Sequence, residues 1–148
     1  TIECWFYIGA DPNSEKTMFE LKTSNYNDSM IINIRNSYGI AAYLNSGSIS
    51  TALTGHVSTM GPIGALTSTD WTHLAIVRNG DTINLYLNGT SQDSGSYSGQ
   101  DFTNQTEIII GGSNNGNFTG YIDDFRITKG VARYTANFTP PAAKLPNL

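Results

Sequence analysis

The sequence predicts an all-β fold of two antiparallel sheets stacked face to face, and three observations carry that prediction. The first is the stretch WTHLAIVRNGDTINLYLNG, Trp71 to Gly89, which reads as a complete β-hairpin. Its first arm, Thr72 to Arg78, is apolar and β-branched. Its second, Thr82 to Asn88, puts Ile83, Leu85 and Leu87 on one face and Asn84, Tyr86 and Asn88 on the other. Between the arms lies Asn79-Gly80, the dipeptide that suits a two-residue type I′ turn, and Asn88-Gly89 ends the second arm. The second observation is that alternation with a period of two recurs along the chain. A ladder with one oily and one polar face must lay the oily face on a second sheet. The third is composition: Asn, Ser, Thr and Gly abound while Leu, Ala, Glu and Lys are scarce, which favours turns and strands over helices.

Taken in order, Thr1 to Ile8 (TIECWFYI) alternates, with Ile2, Cys4, Phe6 and Ile8 inward and Glu3, Trp5 and Tyr7 outward. The outward set is either covered by a loop or open to a ligand. Asp11-Pro12-Asn13 turns the chain. Strands follow over Thr17–Lys22, Ser29–Arg35, Ile40–Leu44 and Ser48–Thr54. Gly55 to Asp70 is the longest irregular stretch, and we expect it to cross from one sheet to the other. After the hairpin, Ser91 to Gln105 reads as a short edge strand and a loop. Glu107 to Ile110 is an apolar strand stopped by Gly111-Gly112, and SNNGN (Ser113–Asn117) is an acceptor-rich loop. In the last strand, Phe118 to Ile127, strict alternation cannot turn Ile122, Phe125 and Ile127 all inward. A bulge is therefore expected at Asp123-Asp124. Lys129 to Tyr134 reads as one helical turn, and the tail with Pro140, Pro141 and Pro146 as an extended surface segment. About ten short strands without a long helix suit a jelly-roll sandwich.

Bulk properties exclude several functions. A chain of 148 residues makes one domain with room for a true core. Net charge is −4, and the eight Lys and Arg are scattered, so no basic patch exists to hold nucleic acid. No apolar run approaches the roughly 20 residues of a membrane span, and no signal peptide is visible. The chain opens directly on a strand, as though cut from a longer protein. The single cysteine, Cys4, lies on the inward face and reads as a small buried hydrophobe. This composition suits a virion-exposed or extracellular, cell-surface protein.

Three segments carry a family resemblance: TIECWFY, the hairpin WTHLAIVRNGDTINLYLNG, and IIIGGSNNGNFTGYIDDFRI from Ile108 to Ile127. Together they resemble the laminin-G-like, concanavalin A-like jelly-roll superfamily over nearly the whole chain, minus one strand usual before Thr1. The closing KGVARYTANFTPP resembles versions in bacteriophage virion and tail proteins and bacterial surface proteins. We read residues 1–139 as the sandwich and 140–148 as a Pro-rich tail. The superfamily holds sugar binders, protein binders, glycosidases and structural modules, so the fold alone does not assign a function.

The resemblance supplies chemistry to weigh. Glucanases of the superfamily carry glutamate-x-aspartate-x-x-glutamate on one strand, and hydrolysis needs two flanking carboxyl groups. Here Glu3, Glu15, Glu20 and Glu107 are isolated, and Asp123 and Asp124 would point to opposite faces of a regular strand. No enzyme is expected, and His73 sits where the family has a structural strand histidine. Some members hold Ca²⁺ at the sandwich rim through about 6–8 oxygens. Asn114, Asn115 and Asn117, with Asp93 or Asp101, supply oxygens of that kind, although Asn and Gly clusters are turn residues first. Sugar recognition leads among the functions, through aromatic platforms and amide or carboxylate groups: Trp5, Tyr7, Asn33, Arg35, Tyr43, Asn84 and Tyr86, with Asn88 beside them. Packing under loops is the first reading of both Trp5 and Trp71. The competing reading is a virion decoration or assembly module acting through protein partners, with a homo-oligomer left open.

Overall fold

The computed structural model describes residues 1–9, 15–23, 29–35, 39–46, 49–53, 71–98, 105–113 and 116–142. Ten strands run through them: β1 (Ile2–Ile8), β2 (Lys16–Lys22), β3 (Ser29–Arg35), β4 (Gly39–Ser46), β5 (Ile49–Leu53), β6 (Thr72–Asn79), β7 (Thr82–Leu87), β8 (Thr90–Ser96), β9 (Glu107–Ile110) and β10 (Gly120–Ile127). They form two five-stranded sheets, β10-β1-β6-β7-β8 and β5-β4-β3-β2-β9, in which every pairing is antiparallel. β5 and β6 belong to different sheets, so the chain crosses between them as expected, along a path outside the described residues.

The core is the set that alternation turned inward. Cys4, Phe6 and Ile8 of β1, Leu74 and Ile76 of β6, and Ile83, Leu85 and Leu87 of β7 meet Ile32, Ile34, Ile40, Ala42 and Leu44 of the other sheet. All are buried.

The type I′ turn expected at Asn79-Gly80 is not the one that forms. β6 and β7 pair Asn79 with Thr82, so the turn residues are Gly80 and Asp81. Only Gly80 has a positive φ, 60°, the pattern of a type II′ turn. Moving the turn from Asn79-Gly80 to Gly80-Asp81 shifts the register by two and leaves every side chain on its face, so alternation cannot distinguish the two. The observed turn puts positive φ only on the residue without a Cβ. The type I′ pair is Asn88-Gly89 between β7 and β8, with φ of 47° and 76°. Asn88 also extends the ladder: its N–H donates to His73 O (2.8 Å), and its Oδ1 accepts from His73 N (2.9 Å).

The expected bulge is present. Glu3 pairs with Arg126 but Trp5 with Asp123, so β10 carries an extra residue there. Asp124 has φ 49°, and its N–H donates to Asp123 Oδ1 (2.7 Å). The extra residue lets Phe125 turn inward beside Ile122, edge-on to Phe19 with centroids 5.2 Å apart. Ile127 remains half exposed. The helical turn expected over Lys129 to Tyr134 is absent. The chain turns at Lys129-Gly130, with Gly130 at φ 77°, and runs on irregularly to residue 142. This segment is a strap across the outer face of the β10-β1-β6-β7-β8 sheet, where Ala132, Tyr134 and Phe138 pack on Ala75, Val77 and Tyr86.

Candidate functional site

The outer face of that sheet divides into a half covered by the strap and a half left open. Under the strap sits Glu3, fully buried among donors. Arg126 donates to Glu3 Oε1 from Nε (3.0 Å) and Nη2 (2.6 Å), and Arg133 Nε lies 3.3 Å from the same oxygen. Tyr134 Oη donates to Oε2 at 2.7 Å, and His73 Nε2 lies 3.4 Å from it. Burial opposes the charge, but the histidine, Arg126 and the tyrosine outweigh it and hold the carboxyl at about 2. The Tyr134 hydroxyl is pushed up by burial and by its bond to Glu3. His73 is enclosed, with Trp5 edge-on at 5.1 Å and Phe138 at 5.8 Å. The Phe138 ring stacks on Tyr134 at 3.6 Å and meets Tyr86 at 5.4 Å. Backbone bonds pin the strap further: Phe138 N to Gly89 O (2.9 Å), Ser91 N to Asn137 Oδ1 (2.9 Å) and Arg133 N to Thr1 Oγ1 (3.0 Å). This cluster is a clasp, closed to solvent ligands.

The open half carries a row of three aromatic rings. Tyr7 is opposite Tyr121 in the β1–β10 register, with centroids 6.0 Å apart and planes at 51°. On the other side β1 and β6 pair Phe6 with Thr72, which brings Trp71 beside Tyr7 at 6.0 Å and 50°. Tyr121 is 66% exposed and Trp71 45%, so the outer rings face solvent instead of forming a core. Asp123, exposed and two residues after Tyr121, lies on the same face opposite Trp5. Hydrophobic faces, hydroxyls, an indole N–H and a carboxylate thus share one surface. That combination stacks on apolar C–H faces and bonds to hydroxyl groups.

The residues proposed from the sequence do not assemble into one site. Asn33 and Tyr43 stand on β3 and β4 of the opposite sheet, and Arg35 ends β3, with its side chain outside the described structure. Asn33 is fully buried and donates from Nδ2 to Glu15 Oε1 (2.8 Å), so it is not a surface group. Tyr86 is 2% exposed because Phe138 covers it, and Asn84 lies on the same strand, partly buried. Trp5 packs against His73. Tyr7 alone belongs to the open row. Trp71 and Tyr121 were missed although the signal existed: with Ile122 inward, alternation puts Tyr121 outward, next to the outward face of β1.

Of the calcium set, only Asp93 and Asn117 lie among the described residues. Asp93 lies on β8 of one sheet, whereas Asn117, just ahead of β10, bridges to Thr17 of β2 in the other. Asp93 Oδ1 accepts from Ser94 N (2.7 Å). Asp101, Asn114 and Asn115 lie outside the described residues, among which no group of three or more His, Cys, Asp or Glu is arranged to hold a metal. No helix among them is long and apolar enough to cross a membrane.

A laminin-G family model, described as the concanavalin A-like lectin/glucanases superfamily, matches residues 1–133. No curated protein sequence matches significantly. Among solved structures, the fold is similar to the CBM40 module of the Ruminococcus gnavus IT-sialidase bound to α2,3 sialyllactose. That likeness has a TM-score of 0.57 and 12% identity over 82% of this chain and 68% of that one. It is also similar to mouse laminin α1 chain domains LG4-5, with a TM-score of 0.61 and 17% identity over 84% of this chain and 33% of that one. At these identities the likeness is one of fold.

Proposed function

This chain belongs to the concanavalin A-like lectin/glucanases superfamily, and from that premise we propose that it is a non-catalytic carbohydrate-recognition or adhesion module. The observation that carries the reading is the solvent-facing row Tyr121, Tyr7 and Trp71 with Asp123 beside it. The sialyllactose held by the CBM40 relative supports the class of ligand. Recognition without hydrolysis is supported by the carboxylates: Asp123 stands without a facing carboxylate among the described residues of the patch, Asp124 is taken up by the bulge, and Glu3 is locked in the clasp. We place the parent protein at a virion or cell surface, supported by the closing segment's resemblance to phage and bacterial surface proteins. A glycan array with the wild-type chain and with Trp71→Ala and Tyr121→Ala tests the proposal. Binding that both substitutions remove is expected, and a silent array would defeat it.

A second reading, assembly through protein contacts, rests on β9. This edge strand exposes Ile108 (45%) and Ile110 (49%), and among the described residues it pairs only with β2. Light scattering of wild type and Ile108→Lys separates the two: an oligomer broken by the lysine favours assembly, whereas a monomer removes this support.

A further inference from the structure

Resting on the carbohydrate reading, we infer that the Tyr121–Tyr7–Trp71 row binds a single strand of an uncharged polysaccharide, and neither anionic glycans nor crystalline polysaccharide surfaces. The first ground is the angle between the rings. The Tyr7 plane is inclined to those of Tyr121 and Trp71 by 51° and 50°. A flat crystal face lying flush on Tyr7 would meet Tyr121 and Trp71 tilted by 51° and 50°. A free polysaccharide chain rotates about its linkages and can present a C–H face to each ring in turn.

The second ground is charge. Asp123 is two residues from Tyr121 on the same face, about 7 Å along the strand. One of its oxygens is occupied by Asp124 N–H. The other is free to accept from sugar hydroxyls, which an uncharged pyranose supplies and a second carboxylate or sulfate does not. Three of the described cations that would offset an anionic glycan are paired elsewhere. Arg126 and Arg133 are held by Glu3, and Lys22 pairs with Glu107 at 3.7 Å. Arg78 and Lys129 line a cavity of about 580 Å³ near Ile2, at the far end of β1 from Tyr7, and Lys16 Nζ lies beside Gly116. The row therefore differs in charge from a site made for a sialylated ligand.

The test uses the full chain in affinity gels containing hydroxyethylcellulose, galactomannan, xylan, heparin or polysialic acid. Co-sedimentation with microcrystalline cellulose and chitin, and tryptophan fluorescence titration, complete it. Both aromatic positions are exposed, and thermal melts of Trp71→Ala and Tyr121→Ala check that each variant is folded. Retention on at least one uncharged gel is expected, with Kd raised roughly tenfold or more by either substitution, and no retention on heparin or polysialic acid. Anionic retention that Tyr121→Ala abolishes would overturn the uncharged class and leave carbohydrate recognition standing. Co-sedimentation with crystals abolished by the same change would overturn the single-strand geometry. Uncharged retention that survives both substitutions would move the site off the row. No retention on any polymer, with no fluorescence change, would defeat the inference together with the reading beneath it.

Discussion

Glu3 and Cys4 are neighbours in sequence with opposite surroundings, because β1 sends one to each face of its sheet. Glu3 is buried but ringed by donors, and its carboxyl is held at about 2 instead of the ordinary 4.5. A carboxyl depressed by folding adds stability above the ordinary carboxylate range. It loses that contribution as pH falls from about 5 towards 2, since the unfolded chain takes up the proton first. Glu3→Gln keeps the shape but strands Arg126 and Arg133, so a loss on the order of 3 kcal/mol at pH 7 is expected. In urea unfolding the variant should also lose most of the wild type's fall in stability between pH 5 and 3. An unchanged acid limb would show the clasp to be energetically idle. Cys4 faces the core with no donor, and burial, aided by the Glu3 charge, pushes its thiol up to about 12. It should resist a thiol reagent in native buffer and react at once in denaturant; fast native labelling would contradict its burial.

At the level of elements, the strands were legible and the turns only partly so. Inward residues such as Ile83, Leu85 and Leu87 announce themselves because a period of two leaves one arrangement that buries them. The Asp123-Asp124 bulge was legible for the same reason, as the one irregularity that lets Phe125 and Ile122 share a core. The β6–β7 turn was not, because both registers bury the same side chains. Asn88-Gly89 joins turn to strap. A Cβ on Gly89 would stand 1.8 Å from Phe138 O, and Gly89 is at φ 76°. Gly89→Ala therefore combines backbone strain with displacement of the strap, for an expected loss of about 2–3 kcal/mol. Gly80→Ala has a positive φ but open space around it and should cost less. Chemical denaturation of the two variants checks the order, and equal losses would mean that the strap contact contributes nothing.

Across the whole molecule, the part the sequence leaves open is which outer surface is covered. Alternation puts Trp5, Tyr7, Asn84 and Tyr86 together on a polar-aromatic face, and nothing within those strands says that residues more than forty positions later lie over half of it. Tyr86 becomes core because Phe138 arrives, whereas Tyr7 stays at the surface because the strap passes on the other side of Trp5. The candidate site was legible as a kind of surface, aromatic and amide-bearing, but its membership depends on that long-range packing. The strap should accordingly behave as part of the fold and not as a loose tail. Phe138→Ala removes a ring lodged against His73, Tyr86 and Tyr134 and should cost about 2–3 kcal/mol, below a fully buried phenylalanine because the ring is only partly enclosed. Tyr134→Phe deletes one hydrogen bond to a buried carboxylate and should cost about 1.5–3 kcal/mol. Both residues touch the same clasp, so their double variant should lose less than the sum. Additive losses would mean that Phe138 and Tyr134 hold the sheet independently. Urea midpoints unmoved by either change would show that the β10-β1-β6-β7-β8 sheet needs no cover on this face.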